Sequence, residues 1–557
     1  MSLNIACDDD DDKGGGKAGS MSGETAGETA GETAGETAGE SAGETAGETA
    51  GESAGESAGE TAGETAGETA GETAGETAGE TAMEHLITDD QLVGTWASGC
   101  ETYPDGMGGM NYLDRQFTFN PGSWKLFGTV YGDDSCSYPV FSFNISGNYS
   151  LEGANPDFDD VENANFSFEE NIWVAYDSGF VDILNQSGCG AGNWEIGVPQ
   201  SVNETGCIGV AHPVAECPEG ELDLLTIREG QLYLGDRSTN LCDGRAGAVG
   251  AYGLNPVADS LLIERENFYP EGITMKSYRS LLVGAVGLFS SSFGMADTEG
   301  AIMELSTDGT SSIEIIPPHP NDETAVGMDI NGNTLWYCSL LFGQFQSSLV
   351  AFDLENGVEL GRYDLGPGTF CNDVITDGSG NVYVTDSFGK VFIYKDADSS
   401  FGVWAEDAAL APLPQDQGGF IGANGIVLSH DRSSVIVGTS DTSSLVEIRI
   451  NMDGSAGEII ERTLPAPPYG GGIDGMVAWR GAYYIVRDYG VHKVIEGADG
   501  WTLETVVEAG QIDSPTTLDI DSFGNMWIVA SQFQYLFDMD PETNGMAPFE
   551  VVRKALY

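Results

Sequence analysis

Between Asp259 and Tyr557 one pattern of apolar and polar positions recurs at intervals of roughly 40–55 residues. A short phrase of small and polar residues leads into an alternating apolar run. A turn rich in Gly, Asp, Asn and Ser follows, and then a second run carrying aromatic or β-branched residues. Gly422 to Ser440, GANGIVLSHDRSSVIVGTS, is one copy. It predicts a strand over Gly425 to Leu428, a polar turn over Ser429 to Ser434 and a second strand over Val435 to Thr439, the signature of a hairpin. The opening phrase reads PEGITM at Pro270, AVGMDI at Ala325, CNDVIT at Cys371, ANGIVL at Ala423, IDGMVA at Ile473 and SPTTLDI at Ser514. One such unit cannot bury both of its faces alone, whereas units stacked radially can. Six phrases predict a six-bladed β-propeller over residues 257–557.

A different pattern occupies residues 89–256. Arg115 to Asn120, Trp124 to Tyr131, Val140 to Ile145 and Asn171 to Tyr176 alternate as half-buried antiparallel strands. Trp96, Trp124, Trp173 and Trp194 supply bulk for a core. These features predict an antiparallel barrel or half-barrel with an apolar interior, so the fold class is all-β. Cys100, Cys136, Cys189, Cys207, Cys217 and Cys242 form an even set in this aromatic, turn-rich stretch and read as disulfides of an oxidising compartment. Zinc fits poorly, because no CxxC spacing occurs and His212 is the only histidine among them. Spacing alone chooses none of the fifteen pairings that six cysteines allow. Five Asn-X-Ser/Thr sequons, at Asn144, Asn148, Asn165, Asn185 and Asn203, matter only in a host that glycosylates them.

Residues 1–88 have no apolar periodicity. Gly23 to Ala82 is fifteen copies of Gly-Glu-Thr-Ala, with Ser in place of Thr at positions 41, 53 and 57. Glu at every fourth position would repel itself on a helix, and Gly costs about 1 kcal/mol per copy there. With no face to bury, the segment is expected to be a disordered tether whose ends lie roughly 40 Å apart. Its acids and Asp8 to Asp12, against Lys13 and Lys17, carry −18 of the net −68 and leave −50 for the rest. Such a charge repels nucleic acid and acidic lipid headgroups, and it favours solubility and divalent cations. Ile5-Ala6-Cys7 before Asp8 looks like the tail of a bacterial lipoprotein cleavage box. The expectation is a chain that starts late, a missing signal peptide, and Cys7 as the lipid anchor of an extracellular or cell-surface protein.

Candidate chemistry sits at the start of the propeller phrases, near the channel axis. Glu271, Asn372, Asn424 and Asp474 occupy matching slots in four blades. Asn and Asp also cap turns, which is the plainer reading of any one of them. Two carboxylates and two amide oxygens together form a hard, all-oxygen set suited to Ca2+. Ser/His/Asp nucleophile motifs, phosphate loops and dinucleotide fingerprints are missing, since the glycines at Asp377 and Gly470 fall in β turns.

Two resemblances extend this reading. Leu92 to Trp96 (LVGTW), Cys100-Glu101, Tyr112 to Arg115 leading to Phe117-Thr-Phe119, Trp124, Cys136 with Pro139, Cys189 to Ala191, Trp194 to Gly197, Gly206-Cys207 and Gln231 to Gly235 keep their order and spacing over about residues 90–255. This stretch resembles the adenomatosis polyposis coli down-regulated family. The resemblance implies a lipocalin-like barrel of secreted or surface proteins with a cavity for a lipid or other apolar ligand, and the pairs Cys100–Cys136, Cys189–Cys207 and Cys217–Cys242.

Glu271 in PEG, Asn372 in FCND, Asn424 in ANGI, Asp474 in IDGM and the pair Pro515-Thr516 are similar to the senescence marker protein, gluconolactonase, paraoxonase and diisopropyl fluorophosphatase family. That likeness implies a channel Ca2+ on those four residues, support from Asp373, and Asp474 as base or nucleophile. Phe370 and Cys371 stand where some sugar lactonases of the family carry an Arg. No paired histidines of the paraoxonase type occur, and His319 reads as a loop residue. The implied function is a surface-tethered Ca2+-dependent hydrolase of an apolar ester or lactone. The alternative is a non-catalytic extracellular binding protein with a structural Ca2+. Cys338 and Cys371 stay open between a bond and free thiols.

Overall fold

The computed structural model describes the chain except residues 1–84, 105–109, 208–210, 238–239, 287–299, 319–323, 342–343, 466–470, 498–499 and 537–546. The acidic repeat, Cys7, His319 and Gly470 therefore lie outside the described residues. Among those described, strands dominate, and no helix is long and apolar enough to cross a membrane.

Eight antiparallel strands close the first domain into a barrel. Starting from Met110–Asn120 the ring passes through Gly94–Ala97, Val249–Val257, Gln231–Gly235, Glu221–Arg228, Glu162–Phe166, Pro139–Ala154 and Ser123–Tyr131, which pairs back to the start. Closure leaves no free sheet edge in the ring. Alternation sets the two faces: Phe117 and Phe119 point inward with their cross-strand partners Leu126 and Trp124. Aromatic rings fill this core: Phe141 stacks on Trp173 with centroids 4.7 Å apart, and Trp124 meets Phe166 edge-on at 5.1 Å. A helix, Ser178–Ser187, is capped by Asp177, whose side chain accepts from the Phe180 N–H, and it packs Phe180 and Leu184 onto this core.

Disulfides join Cys100–Cys136, Cys189–Cys207 and Cys217–Cys242 around the barrel. A fourth, Cys338–Cys371, lies in the propeller and resolves the pair that spacing left open. Four disulfides fit an oxidising, extracellular setting.

The second domain is a ring of six four-stranded blades. Their inner strands are Pro270–Ser277, Thr324–Asn331, Cys371–Thr376, Ala423–Leu428, Ile473–Trp479 and Pro515–Ile520. Each packs on the next, and the sixth on the first. Five blades are built from consecutive strands. The sixth combines Pro515–Ile520, Asn525–Ala530 and Phe549–Ala555 with an outer strand, Ser260–Ile263, contributed from the start of the domain. Leu261 opposite Val551 and Ile263 opposite Phe549 seal the ring with fully buried side chains.

Barrel and propeller meet across the outer face of the barrel wall. Asp114, Gln116, Phe127 and Thr129 alternate with inward residues, so they point out of the barrel, yet all are buried. Asn525 Nδ2 donates to Gln116 Oε1 at 2.6 Å, and Phe127 stacks on Tyr557 at 4.7 Å. Arg480 reaches over the rings of Phe127 and Trp479, 4.7 Å from each centroid, and donates to Thr129 Oγ1 at 3.0 Å. A guanidinium is attracted to the faces of aromatic rings and can still donate hydrogen bonds from its edge.

Asp114 accepts from Thr129 N at 3.1 Å and from Tyr131 Oη at 2.8 Å, and its side chain also bonds Ser522 of the propeller. Burial pushes its pKa from the ordinary 3.8 up to about 6, against those hydrogen bonds and the Arg480 charge. Because the unfolded chain releases this proton near 3.9, the native state holds more protons than the unfolded state up to about pH 6. The contribution is complete below that unfolded value and is lost as pH rises through about 6. In urea unfolding across about pH 4 to 7, Asp114→Asn is expected to lose this downward slope and to exceed wild type at pH 7 by up to about 3 kcal/mol. Parallel pH profiles for the two proteins would contradict the assignment.

Candidate functional site

The site grows from one repeated backbone event. In every blade the inner strand shifts register against the second strand at its opening residues, between Pro270 and Gly272, Ala325 and Met328, Cys371 and Val374, Ala423 and Ile426, Ile473 and Met476, and Pro515 and Leu518. A bulge re-aims a side chain and ends regular pairing. The six equivalent positions so placed are Glu271, Val326, Asn372, Asn424, Asp474 and Thr516. The next position is Gly in four blades for a steric reason. A Cβ on Gly425 would lie 2.4 Å from the Asp474 carbonyl oxygen, and one on Gly272 would lie 2.3 Å from that of Val326.

Glu271, Asn372, Asn424 and Asp474 line one cavity of about 390 Å3. The structure thus brings together all four residues that the sequence singled out. Asn372 and Asn424 are buried, and their amide nitrogens are held from behind. Asn372 Nδ2 donates to Ser387 Oγ at 3.1 Å, and Asn424 Nδ2 donates to Ser440 Oγ at 2.9 Å and to Asp474 Oδ1 at 3.0 Å. With its nitrogen engaged, each amide presents its oxygen as the remaining donor atom for a ligand. The Cys338–Cys371 bond ties the second blade to the third immediately beside Asn372.

The carboxylates are under electrostatic pressure. Burial, then the charges of Asp474 and Asp373, drives the Glu271 carboxyl well above its ordinary range, and its Oε2 is shielded with no hydrogen-bond partner among the described residues. Asp474 is raised by burial to about 7, against the Asn424 hydrogen bond. An orphaned carboxylate oxygen beside a second carboxylate is what a hard cation would satisfy, so the residues present fit Ca2+. Among the described residues no three His, Cys, Asp or Glu side chains converge as a metal-binding group; this set is two carboxylates and two amides.

Asp373 is placed elsewhere. It borders a second cavity, of about 290 Å3, together with Asp329 and Asp519. Its carboxylate accepts from Val374 N at 2.8 Å and from Ile426 N, in the next blade, at 3.1 Å. Asp329 accepts from Thr376 N of the third blade and Asp519 from Met275 N of the first, each at 2.7 Å. Asp373 therefore staples neighbouring inner strands and acts on Glu271 only through its charge.

Sequence reasoning missed Ser387 and Ser440, although a signal exists. Each ends its second strand's phrase, VTDS and VGTS, as Ser531 ends IVAS. Also missed was the wall: Phe345, Phe370, Phe388 and Phe420 form a ring cluster with centroids 5.7–6.5 Å apart, and Phe370 and Phe420 line the cavity.

No protein-family model and no curated protein matches the chain. Solved structures do align. A luciferin-regenerating enzyme aligns at 11% identity over 53% of this chain and 95% of its own, with a TM-score of 0.38. A gluconolactonase from Xanthomonas campestris aligns at 14% identity over 54% of this chain and 91% of its own, with a TM-score of 0.36. A protein of unknown function from Bacteroides thetaiotaomicron aligns at 10% identity over 77% and 94%, with a TM-score of 0.38.

The close strand approach gives a test. Gly425→Ala is expected to lose about 1–3 kcal/mol in chemical denaturation, as overpacked interiors do. Gly402→Ala, where an added Cβ meets nothing within 4 Å, serves as the near-neutral control. Equal effects at the two positions would refute the steric account.

Proposed function

We propose that the propeller is a Ca2+-dependent hydrolase of esters or lactones, exported to the cell exterior and tethered there through its N-terminal segment. The observation that carries the reading is the convergence of Glu271, Asn372, Asn424 and Asp474 on one cavity, with a shielded carboxylate oxygen that has no partner among the described residues. Those four residues would hold the ion. When bound, it supplies Lewis-acid polarisation of the acyl carbonyl.

The chain's own groups supply the remainder. Asp474 is the general base: raised by burial to about 7, it is matched to accept a proton from water near neutral pH. Its Oδ1 is held by Asn424, and Ser440, which donates from Oγ to the Ile473 carbonyl at 2.6 Å, fixes both strands behind them. Phe370 and Phe420 on the wall favour an apolar acyl or aryl group and exclude water around it. By the family resemblance, Phe370 and Cys371 stand where some sugar lactonases carry an Arg, which supports an apolar substrate over a sugar-acid lactone.

A panel of aryl esters and lactones, assayed with Ca2+ and with chelator, tests the reading. Turnover is expected only with the ion and should rise with pH through an apparent pKa at or below about 7. Asp474→Asn should lower kcat by about 10²–10⁴, and Asn424→Ala should weaken Ca2+ binding in calorimetry. Activity indifferent to chelator or to Asp474→Asn would sink the hydrolase. Retained Ca2+ affinity without turnover would instead support the non-catalytic binding propeller.

A further inference from the structure

Arg487 ends the second strand of the fifth blade, Ala482–Arg487, and lines the same cavity. It is only 2% exposed. Its Nη2 donates to the Pro465 carbonyl, while its Nε is shielded and has no acceptor among the described residues. A buried donor left unpaired is costly, and more so when it is charged. Its acidic neighbour, Asp488, accepts from Gly471 N at 3.3 Å.

The backbone beyond it is also unusual. Asp488 and Tyr489 have φ of 60° and 62° and form a two-residue turn that returns to Gly490, the partner of Arg487. Two consecutive positive φ values suit Asp followed by Gly, so Tyr at the second position carries strain. Tyr489 lines the cavity and is 60% exposed; Phe420, another lining residue, is 47% exposed. One buried cation with an idle donor, and two accessible rings, thus share a cavity that also holds Glu271 and Asp474.

We infer that Arg487 orients the ligand of this cavity, its guanidinium donating to a carboxylate oxygen while Phe420 and Tyr489 receive the ligand's apolar arm. Arg487 is the cationic side chain of the cavity's lining; Asp488, which also lines it, acts on Arg487 through its charge, and a ligand carboxylate would share the guanidinium with it. On the hydrolase reading, on which the word substrate rests, the substrate class is an ester or lactone bearing both a carboxylate and an apolar group. Arg487 is then a specificity residue in a blade other than the one that carries the missing sugar-recognising Arg.

Calorimetry on the whole protein with 3-phenylpropionate and 3-phenyl-1-propanol tests this without any turnover. The carboxylate is expected to bind at least about tenfold tighter than the alcohol, in chelator as well as in Ca2+, a difference of about 1.4 kcal/mol. Arg487→Gln should abolish that preference, Arg487→Lys should retain part of it, and Phe420→Ala should weaken both ligands equally. Equal affinities in the wild type, a preference that survives Arg487→Gln, or one that disappears in chelator with Arg487 intact would each overturn the inference. The wild-type comparison decides even if an Arg487 variant fails to fold. Ester cleavage without carboxylate preference would remove this inference alone, whereas Arg487-dependent binding without cleavage would remove only the hydrolase.

Discussion

Six inner strands crowd around one axis, and the rest of the propeller follows from how closely they approach. A Cβ at Gly425 would lie 2.4 Å from the Asp474 carbonyl oxygen, so the backbones of neighbouring blades meet with no side chain between them. Strands that close cannot keep regular pairing with their own second strands, and all six shift register at the same point. The shift turns one side chain per blade toward the cavity. Each inner strand is also the edge of its own sheet, so its outward-facing N–H groups must find acceptors elsewhere, because a buried unpaired N–H is costly. Asp519, Asp329 and Asp373 meet that need by accepting from Met275, Thr376 and Ile426 of the following blades. The close approach thus accounts for the glycines and the positions of the candidate ligands, and the edge position of each inner strand accounts for the aspartate staples.

The same geometry sorts the acidic residues by role. Asp373 and Asp519 are raised to about 7 by burial, but their oxygens are occupied by backbone donors. Glu271 has no such donor on Oε2 and lies beside Asp474 in a cavity whose wall is largely aromatic and aliphatic. The distinction between a structural and a candidate functional carboxylate is therefore which donors reach it, since burial is common to both. In a chain of net charge −68, acidity by itself marks nothing.

How much of this the sequence disclosed depended on whether a feature was local and repeated. The six opening phrases were legible because each contains its whole signal within about eight residues and recurs. Aligning them was enough to collect Glu271, Asn372, Asn424 and Asp474. Ser260–Ile263, the outer strand of the sixth blade, was not legible: four residues carry no periodicity, and their partner Phe549–Ala555 lies almost the whole domain away. The barrel strand predicted over Val140 to Ile145 runs from Pro139 to Ala154, because polar positions such as Asn148 and Ser150 hid its continuation. Asp373, which the family resemblance implied as support for the site, faces the other cavity, because successive residues of a strand point to opposite sides. Arg487 lay outside every repeated phrase, and only the fold showed that it is buried and lines the cavity of Glu271 and Asp474.

Ring closure and barrel docking draw on the same strands. Only Ala258 and Asp259 separate the last barrel strand, Val249–Val257, from the strand that seals the propeller. Phe549–Ala555, which pairs with the sealing strand, carries Arg553, whose guanidinium donates to Thr95 Oγ1 of the barrel at 3.1 Å and to Asn525 Oδ1 at 3.0 Å. Asn525 in turn bonds Gln116, and Tyr557 stacks on Phe127. A propeller's weakest point is the seam where its first and last strands meet, since no chain connection enforces it. Here the barrel is fastened across that seam on both sides. Its outward residues Asp114, Gln116 and Thr129, unremarkable as barrel positions, are buried because they clamp the ring on which the cavity depends.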